Sequence, residues 1–76
     1  MTEFSVLLQN MEAVNALHSA AEKRDYPIEL HFNDQIIPAT SLVGIFSFDL
    51  TKPIKVVSSK DNDTTLKREL FDYICD

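Results

Sequence analysis

Hydrophobic residues recur along this chain with two periods, and the switches between them mark out its elements. In Phe4-Ser5-Val6-Leu7-Leu8 the period is two, with Phe4, Val6 and Leu8 on one face, which predicts a first strand. From Asn10 the spacing changes. Met11, Val14, Leu17 and Ala21 form one apolar stripe at three- and four-residue intervals, predicting a helix that runs to about Arg24. Asn10 is suited to cap it, and Glu12 early and Lys23-Arg24 late match the helix dipole. Pro27 opens an extended segment in which Ile28, Leu30 and Phe32 alternate with Glu29 and His31. Asn33-Asp34 is a two-residue turn, and Gln35–Ala39 returns as the partner strand. Pro38 cannot donate to a ladder, which sends that strand to a sheet edge.

Ser41 to Phe48 reads as a short second helix, which Pro53 bars from continuing. Ile54–Ser58 is a fourth strand with Ile54 and Val56 inward. Asp61-Asn62-Asp63 supplies cap candidates for a last helix whose apolar face is Leu66, Leu70, Phe71 and Ile74. The order is therefore βαββαβα. Its expected architecture is α+β, an open-faced sandwich in which a four-stranded antiparallel sheet carries three helices on one face.

Composition narrows the class. Seventy-six residues, 1–76, make a single domain, and a chain of this size buries only roughly 60–65% of its unfolded surface. The lone Cys75 has no partner for an internal disulfide and fits a reducing cytoplasm. Met1-Thr2-Glu3 lacks a basic region followed by an apolar core, so no signal peptide is expected, and no apolar run is long enough to cross a bilayer. A net charge of −5, with Lys23-Arg24 and Lys67-Arg68 the only adjacent basic pairs, argues against nucleic acid as a partner. No membrane partner is expected either.

The run Ala39-Thr40-Ser41-Leu42-Val43-Gly44-Ile45-Phe46-Ser47-Phe48-Asp49-Leu50-Thr51-Lys52-Pro53 is the most specific segment and holds the only glycine. It resembles the second helix of the histidine-containing phosphocarrier proteins (HPr) of the bacterial sugar phosphotransferase system. Ala39 to Ser47 is similar to the segment around that family's regulatory serine, and Gly44 to Pro53 to the wording of short clostridial-type relatives. A gap-free register extends from the first strand through the last helix, so the chain resembles a degenerate, short HPr-like member. The resemblance implies the HPr-like βαββαβα fold. It also locates the family's chemistry, in which a histidine at the start of the first helix accepts a phosphoryl group from phosphoenolpyruvate through enzyme I. An arginine two residues later and the helix N-terminus steady that phosphate. The same register places Asn10 at the histidine position and Glu12 at the arginine position. An asparagine cannot carry a transferable phosphoryl group, and Glu12 would repel one. No catalytic residue is expected, and the chain is not expected to be an enzyme or to need a cofactor or metal.

The remaining candidates divide between structure and function. His18 lies two turns into the first helix, beyond the free N–H groups, and reads as a partly exposed helix-face residue. His31 should face the open side of the sheet; two histidines without a carboxylate or cysteine constellation do not make a metal site. Ser41 is first a helix cap, worth ~1 kcal/mol. Through the resemblance it is also a candidate regulatory phosphosite, where phosphate would gain bonds from the helix N-terminus. Leu42, Val43, Ile45, Phe46 and Phe48 are too many for one buried stripe on two turns, so part of the set is expected to stay exposed. In the family this helix and the start of the first form the partner-docking surface, which makes these residues candidates for partner binding. Glu69, Asp72 and Asp76 form no acid–base pair distinguishable from a solvated face, and Cys75 has nothing cationic fixed beside it.

The leading expectation is a cytoplasmic, regulatory or protein-binding relative of the phosphotransferase system that lacks the phosphorylatable histidine. Its protein partner and oligomeric state are left open. The alternative is an active phosphocarrier for phosphoenolpyruvate-dependent sugar uptake that uses a displaced histidine such as His18. A third reading is assembly through the edge strand Gln35–Ala39.

Overall fold

A computed structural model describes residues 1–75. The strands are β1 (Thr2–Val6), β2 (Ile28–Phe32), β3 (Gln35–Pro38) and β4 (Ile54–Ser58), and the helices are α1 (Met11–Glu22), α2 (Leu42–Phe46) and α3 (Thr64–Glu69). A single 3₁₀ turn, Phe71–Tyr73, follows α3. The strands form one antiparallel sheet in the order β1-β4-β2-β3. This is the expected βαββαβα sandwich, and β3 occupies the edge that Pro38 implied.

Strand register sorts residues into rows. Phe4, Val56, Leu30 and Ile37 stand side by side on the inner face, as do Val6 and Ile54. They pack with Val14, Leu17, Ala20 and Ala21 of α1, Ile45 of α2, and Leu66 of α3 with the following Leu70. On the outer face Glu3, Val57, Glu29 and Pro38 make one row, and Ser5, Lys55, His31 and Ile36 the next. Polar contacts lace these rows: Lys55 Nζ forms an ion pair with Glu3 at 3.5 Å, and His31 Nε2 lies 3.1 Å from Glu29. His31 thus lies on the open side, as its alternation required.

Both sheet edges are blunted. The Ala39 N–H donates to the Ile28 carbonyl (2.9 Å), so ladder alternation turns positions 36 and 38 outward. Position 38 is proline, which leaves Ile36 as the one outward N–H donor of β3. On the other edge, β1 is covered by the C-terminal segment. The Leu7 N–H donates to the Tyr73 carbonyl (2.9 Å) and the Cys75 N–H to the Ser5 carbonyl (3.0 Å).

The pattern misplaced several details. β1 begins at Thr2 and stops at Val6 rather than spanning Phe4–Leu8, because its ladder partner Ser58 stands opposite Thr2; Leu8 is nonetheless buried. Met11 was expected on the buried stripe but is 55% exposed, since the first position of α1 overhangs the end of the core. Phe71 was expected on the apolar face of the last helix and is 74% exposed. α3 ends at Glu69, and the switch to a 3₁₀ turn swings Phe71 outward while Tyr73 and Ile74 take up the packing.

At one end the inner face is polar. Thr2 and Ser58 are buried there, and the carboxylate of Asp63, the α3 N-cap, closes over them. Asp63 accepts from Tyr26 Oη (2.6 Å), Ser58 Oγ (2.7 Å) and the Leu66 N–H (3.2 Å). Its own N–H donates to Thr2 Oγ1 (3.0 Å), which donates onward to the Lys60 carbonyl (2.7 Å). Arg24 extends the network: Nε donates to Tyr26 Oη (3.1 Å), Nη1 to the Ala20 carbonyl (2.5 Å) and Nη2 to Glu69 (2.5 Å). Burial by itself pushes the Asp63 carboxyl up, but the bonds from Tyr26, Ser58 and the Leu66 N–H outweigh it and hold the group below its ordinary value. Glu69 is held low by its bonds from Lys23 and Arg24. Burial, reinforced by Asp63, pushes the Tyr26 phenol up.

Replacing Asp63 by alanine leaves the Tyr26 and Ser58 hydroxyls and the Leu66 N–H without their acceptor, and should cost about 3 kcal/mol in urea unfolding. Because Asp63 and Glu69 have lower native than unfolded values, the unfolded chain binds more protons in acid. Their contribution is present above the ordinary carboxylate range near ~4 and is lost as pH falls through the native values. Asp63→Asn should flatten this acid limb of the stability curve.

Candidate functional site

At the end of the molecule where α1 begins, an open cleft of ≈ 610 Å³ is lined by Leu8, Asn10, Met11, Phe46, Leu50 and Thr51 among others. Its volume is in the range of side-chain and small-ligand pockets. The α1 N-terminus forms one wall. Asn10 takes an extended backbone there, and its Oδ1 accepts from the Ala13 N–H (2.9 Å), the cap expected from its position. The first-turn N–H that an anion would use at Ala13 is therefore already satisfied by the carboxamide. Glu12 stands exposed in the same turn.

The opposite wall is α2 and the loop after it. Ser41 caps α2, its Oγ accepting from the Gly44 N–H (3.1 Å). Gly44 sits at a close approach. A Cβ there would lie 2.7 Å from Ile37 Cδ1 and 3.0 Å from Ser41 Oγ, so glycine lets α2 settle against β3 without disturbing its own cap. Beyond α2, Asp49 Oδ1 accepts from the Thr51 N–H (3.1 Å) and hydroxyl (2.5 Å), which pins the turn carrying Leu50 and Thr51 into the cleft. Those same bonds hold the Asp49 carboxyl below its usual value.

The sheet divides the apolar residues of α2 into two sets. Ile45 is fully buried, and Phe48 is buried with its ring against Phe32 at a centroid distance of 5.2 Å. Neither can meet a partner, which corrects the assignment of Ile45 and Phe48 to the docking set; the core of so small a domain needs them. Leu42 (37% exposed), Val43 (85%) and Phe46 (49%) point outward. Spaced i, i+1 and i+4, they share one face of α2. Phe46 meets Met11 across the cleft, so the mispatterned methionine completes an apolar patch that α1 and α2 build together.

His18 does not belong to this cleft. Its Nε2 lies 3.1 Å from the Thr40 carbonyl, which only accepts, so Nε2 donates and ties α1 to the residue before the α2 cap. With Met11 opposite Phe46 and His18 beside Thr40, α2 runs antiparallel along α1. Cys75, Asp72 and Tyr73 flank the other side of Asn10 in a smaller depression. Asp76 lies outside the described residues.

Sequence comparison is silent: no protein-family profile matches the chain, and no curated protein does. Structural comparison is not. The crystal structure of HPr-C-His from Thermoanaerobacter tengcongensis superposes with a TM-score of 0.73 at 19% identity, covering 95% of this chain and 89% of that one. The chain therefore has the HPr-like fold.

Asn10→Ala should remove the Ala13 partner and lower unfolding stability by about 1 kcal/mol, whereas Asn10→Asp, which caps equally well and suits the dipole, should retain it. Equilibrium urea unfolding of the two variants checks this.

Proposed function

We propose that this chain is a protein-binding module of HPr-like fold, a regulatory relative of the phosphotransferase proteins that docks a protein partner and is not itself phosphorylated at the head of α1. The observation that carries the reading is an exposed apolar set at the α1–α2 end: Met11 and Phe46 line one cleft, and Leu42 and Val43 lie exposed on the same face of α2 as Phe46, while Ile45 is buried. An apolar patch of this kind on so small a domain marks a contact surface. An aromatic at its centre is the residue type that anchors interfaces.

The non-carrier half of the reading rests on chemistry. At the position where the resemblance calls for a nucleophilic imidazole, Asn10 offers a carboxamide engaged in capping. Glu12, in place of an anion-steadying arginine, adds a carboxylate beside it. His18 is a poor substitute, because Nε2 is held by Thr40 and the ring lies mid-helix, away from the N–H groups that could steady a phosphate. Ser41 keeps its place as a regulatory candidate. Its hydroxyl is half-buried against Gly44, so phosphorylation there would have to displace the cap bond. A reducing cytoplasm is the setting this reading assumes.

Incubation with enzyme I and phosphoenolpyruvate should leave the intact mass at neutral pH unchanged, beside a histidine-bearing HPr control that gains one phosphoryl group. A gain that disappears in His18→Ala would replace this proposal with the displaced-histidine carrier. Phe46→Asp should leave unfolding stability within about 1 kcal/mol, since the ring is half exposed. It should also eliminate photo-crosslinking of a protein partner from position 43, while Ile36→Asp on the sheet's open face does not.

A further inference from the structure

Charge is distributed unevenly over this molecule, and the imbalance falls on the patch. From Met1 to Glu22 the chain has no lysine or arginine, and α1 presents Glu12 and Glu22 to solvent. From Asp34 to Thr51 there is again no cation; α2 is uncharged, and Asp49 follows it, exposed. The cations are engaged elsewhere. Lys23 and Arg24 close on Glu69 beyond the far end of α1, and Lys55 pairs with Glu3 on the open face of the sheet. Lys60 sits over the Tyr26 ring and Lys67 over Phe4, both at 5.9 Å. Arg68 is on α3. Lys52, whose charge helps to lower Asp49, is the one basic residue at the rim of the α1–α2 surface.

Resting on the docking reading, we infer that the partner element is a cationic amphipathic helix: an apolar anchor in the Met11–Phe46 cleft, flanked by lysine or arginine over Glu12, Glu22 and Asp49. An apolar cleft walled by two helices is the kind of groove into which an amphipathic helix lays its apolar face. Complementary rim charges supply register and encounter rate more than raw affinity. A second copy of the chain is the wrong occupant, because pairing this face with itself would bring two acidic rims together in a protein of net charge −5. An anionic lipid surface is disfavoured by the same charges.

The test uses the full chain and two labelled synthetic helical peptides sharing one leucine stripe, one flanked by lysine and the other by glutamate. Fluorescence anisotropy should show the lysine peptide binding at least about tenfold tighter, with affinity falling as salt is raised. Glu12→Lys combined with Glu22→Lys should weaken it about tenfold and reduce the salt dependence. Phe46→Asp adds a carboxylate, so attraction to net charge alone would strengthen binding, whereas docking in the cleft would abolish it. Equal binding of the two peptides overturns the cationic partner and leaves the docking reading standing. Undiminished binding of the lysine peptide by Phe46→Asp overturns both. No binding of the lysine peptide overturns the cationic helix alone, the docking reading being judged by its crosslink. Binding to phosphatidylglycerol vesicles, or dimerisation that Phe46→Asp removes, also overturns it by giving the face another occupant.

Discussion

The buried carboxylate of Asp63 is the contact on which the rest of the arrangement depends. It is the point where β1, β4, the Tyr26 segment and α3 meet, through Thr2, Ser58, Tyr26 and the first turn of the helix it caps. A charge buried in a domain this small is tolerable only because donors surround it. Ser58 and Leu66 are near Asp63 in sequence, but the donor Tyr26 and the acceptor Thr2 are remote, so the network forms only when the sheet register and the helix placement are both correct. Arg24 and Glu69 then carry the same tie across the surface between α1 and α3. One polar cluster thereby closes one end of the core.

The opposite end is built to be open. There α1 starts, α2 finishes, and among the described residues no comparable polar network covers the ones between them. Gly44 lets α2 sit close on β3; Ile45 and Phe48 enter the core, and Leu42, Val43 and Phe46 face outward. The Asp49–Thr51 turn holds Leu50 against the cleft. The pinned end supplies stability, and the open end leaves exposed the apolar surface proposed to dock a partner.

Much of this was legible in the sequence because it depends on local chemistry. Asn10, Ser41 and Asp63 are recognisable as caps from residue type and position, and each accepts from the N–H three residues on. Pro38 excluded a central place for β3. The docking set was only half legible. Apolar excess on α2 announced that something must be exposed, but five residues could not be sorted without knowing which side of the helix the sheet occupies. Met11 was the reverse case: its spacing fits the buried stripe, and only the overhang of α1 past the core sets it in the patch.

What the sequence determined alone is the order and type of the elements, the edge position of β3, and the absence of an imidazole at the head of α1, since these follow from side-chain periods and identities within a few residues. What only the tertiary structure decided is which candidates share a neighbourhood. That Tyr26, Ser58 and Thr2 converge on Asp63, and that Met11 faces Phe46, depends on strand order and helix placement. Thr2 and Asp63, 61 residues apart in the chain, are brought into hydrogen-bond contact by pairings that no local period encodes. Local periodicity fixes which face of an element is apolar; only the packing of several elements fixes how much of that face is covered.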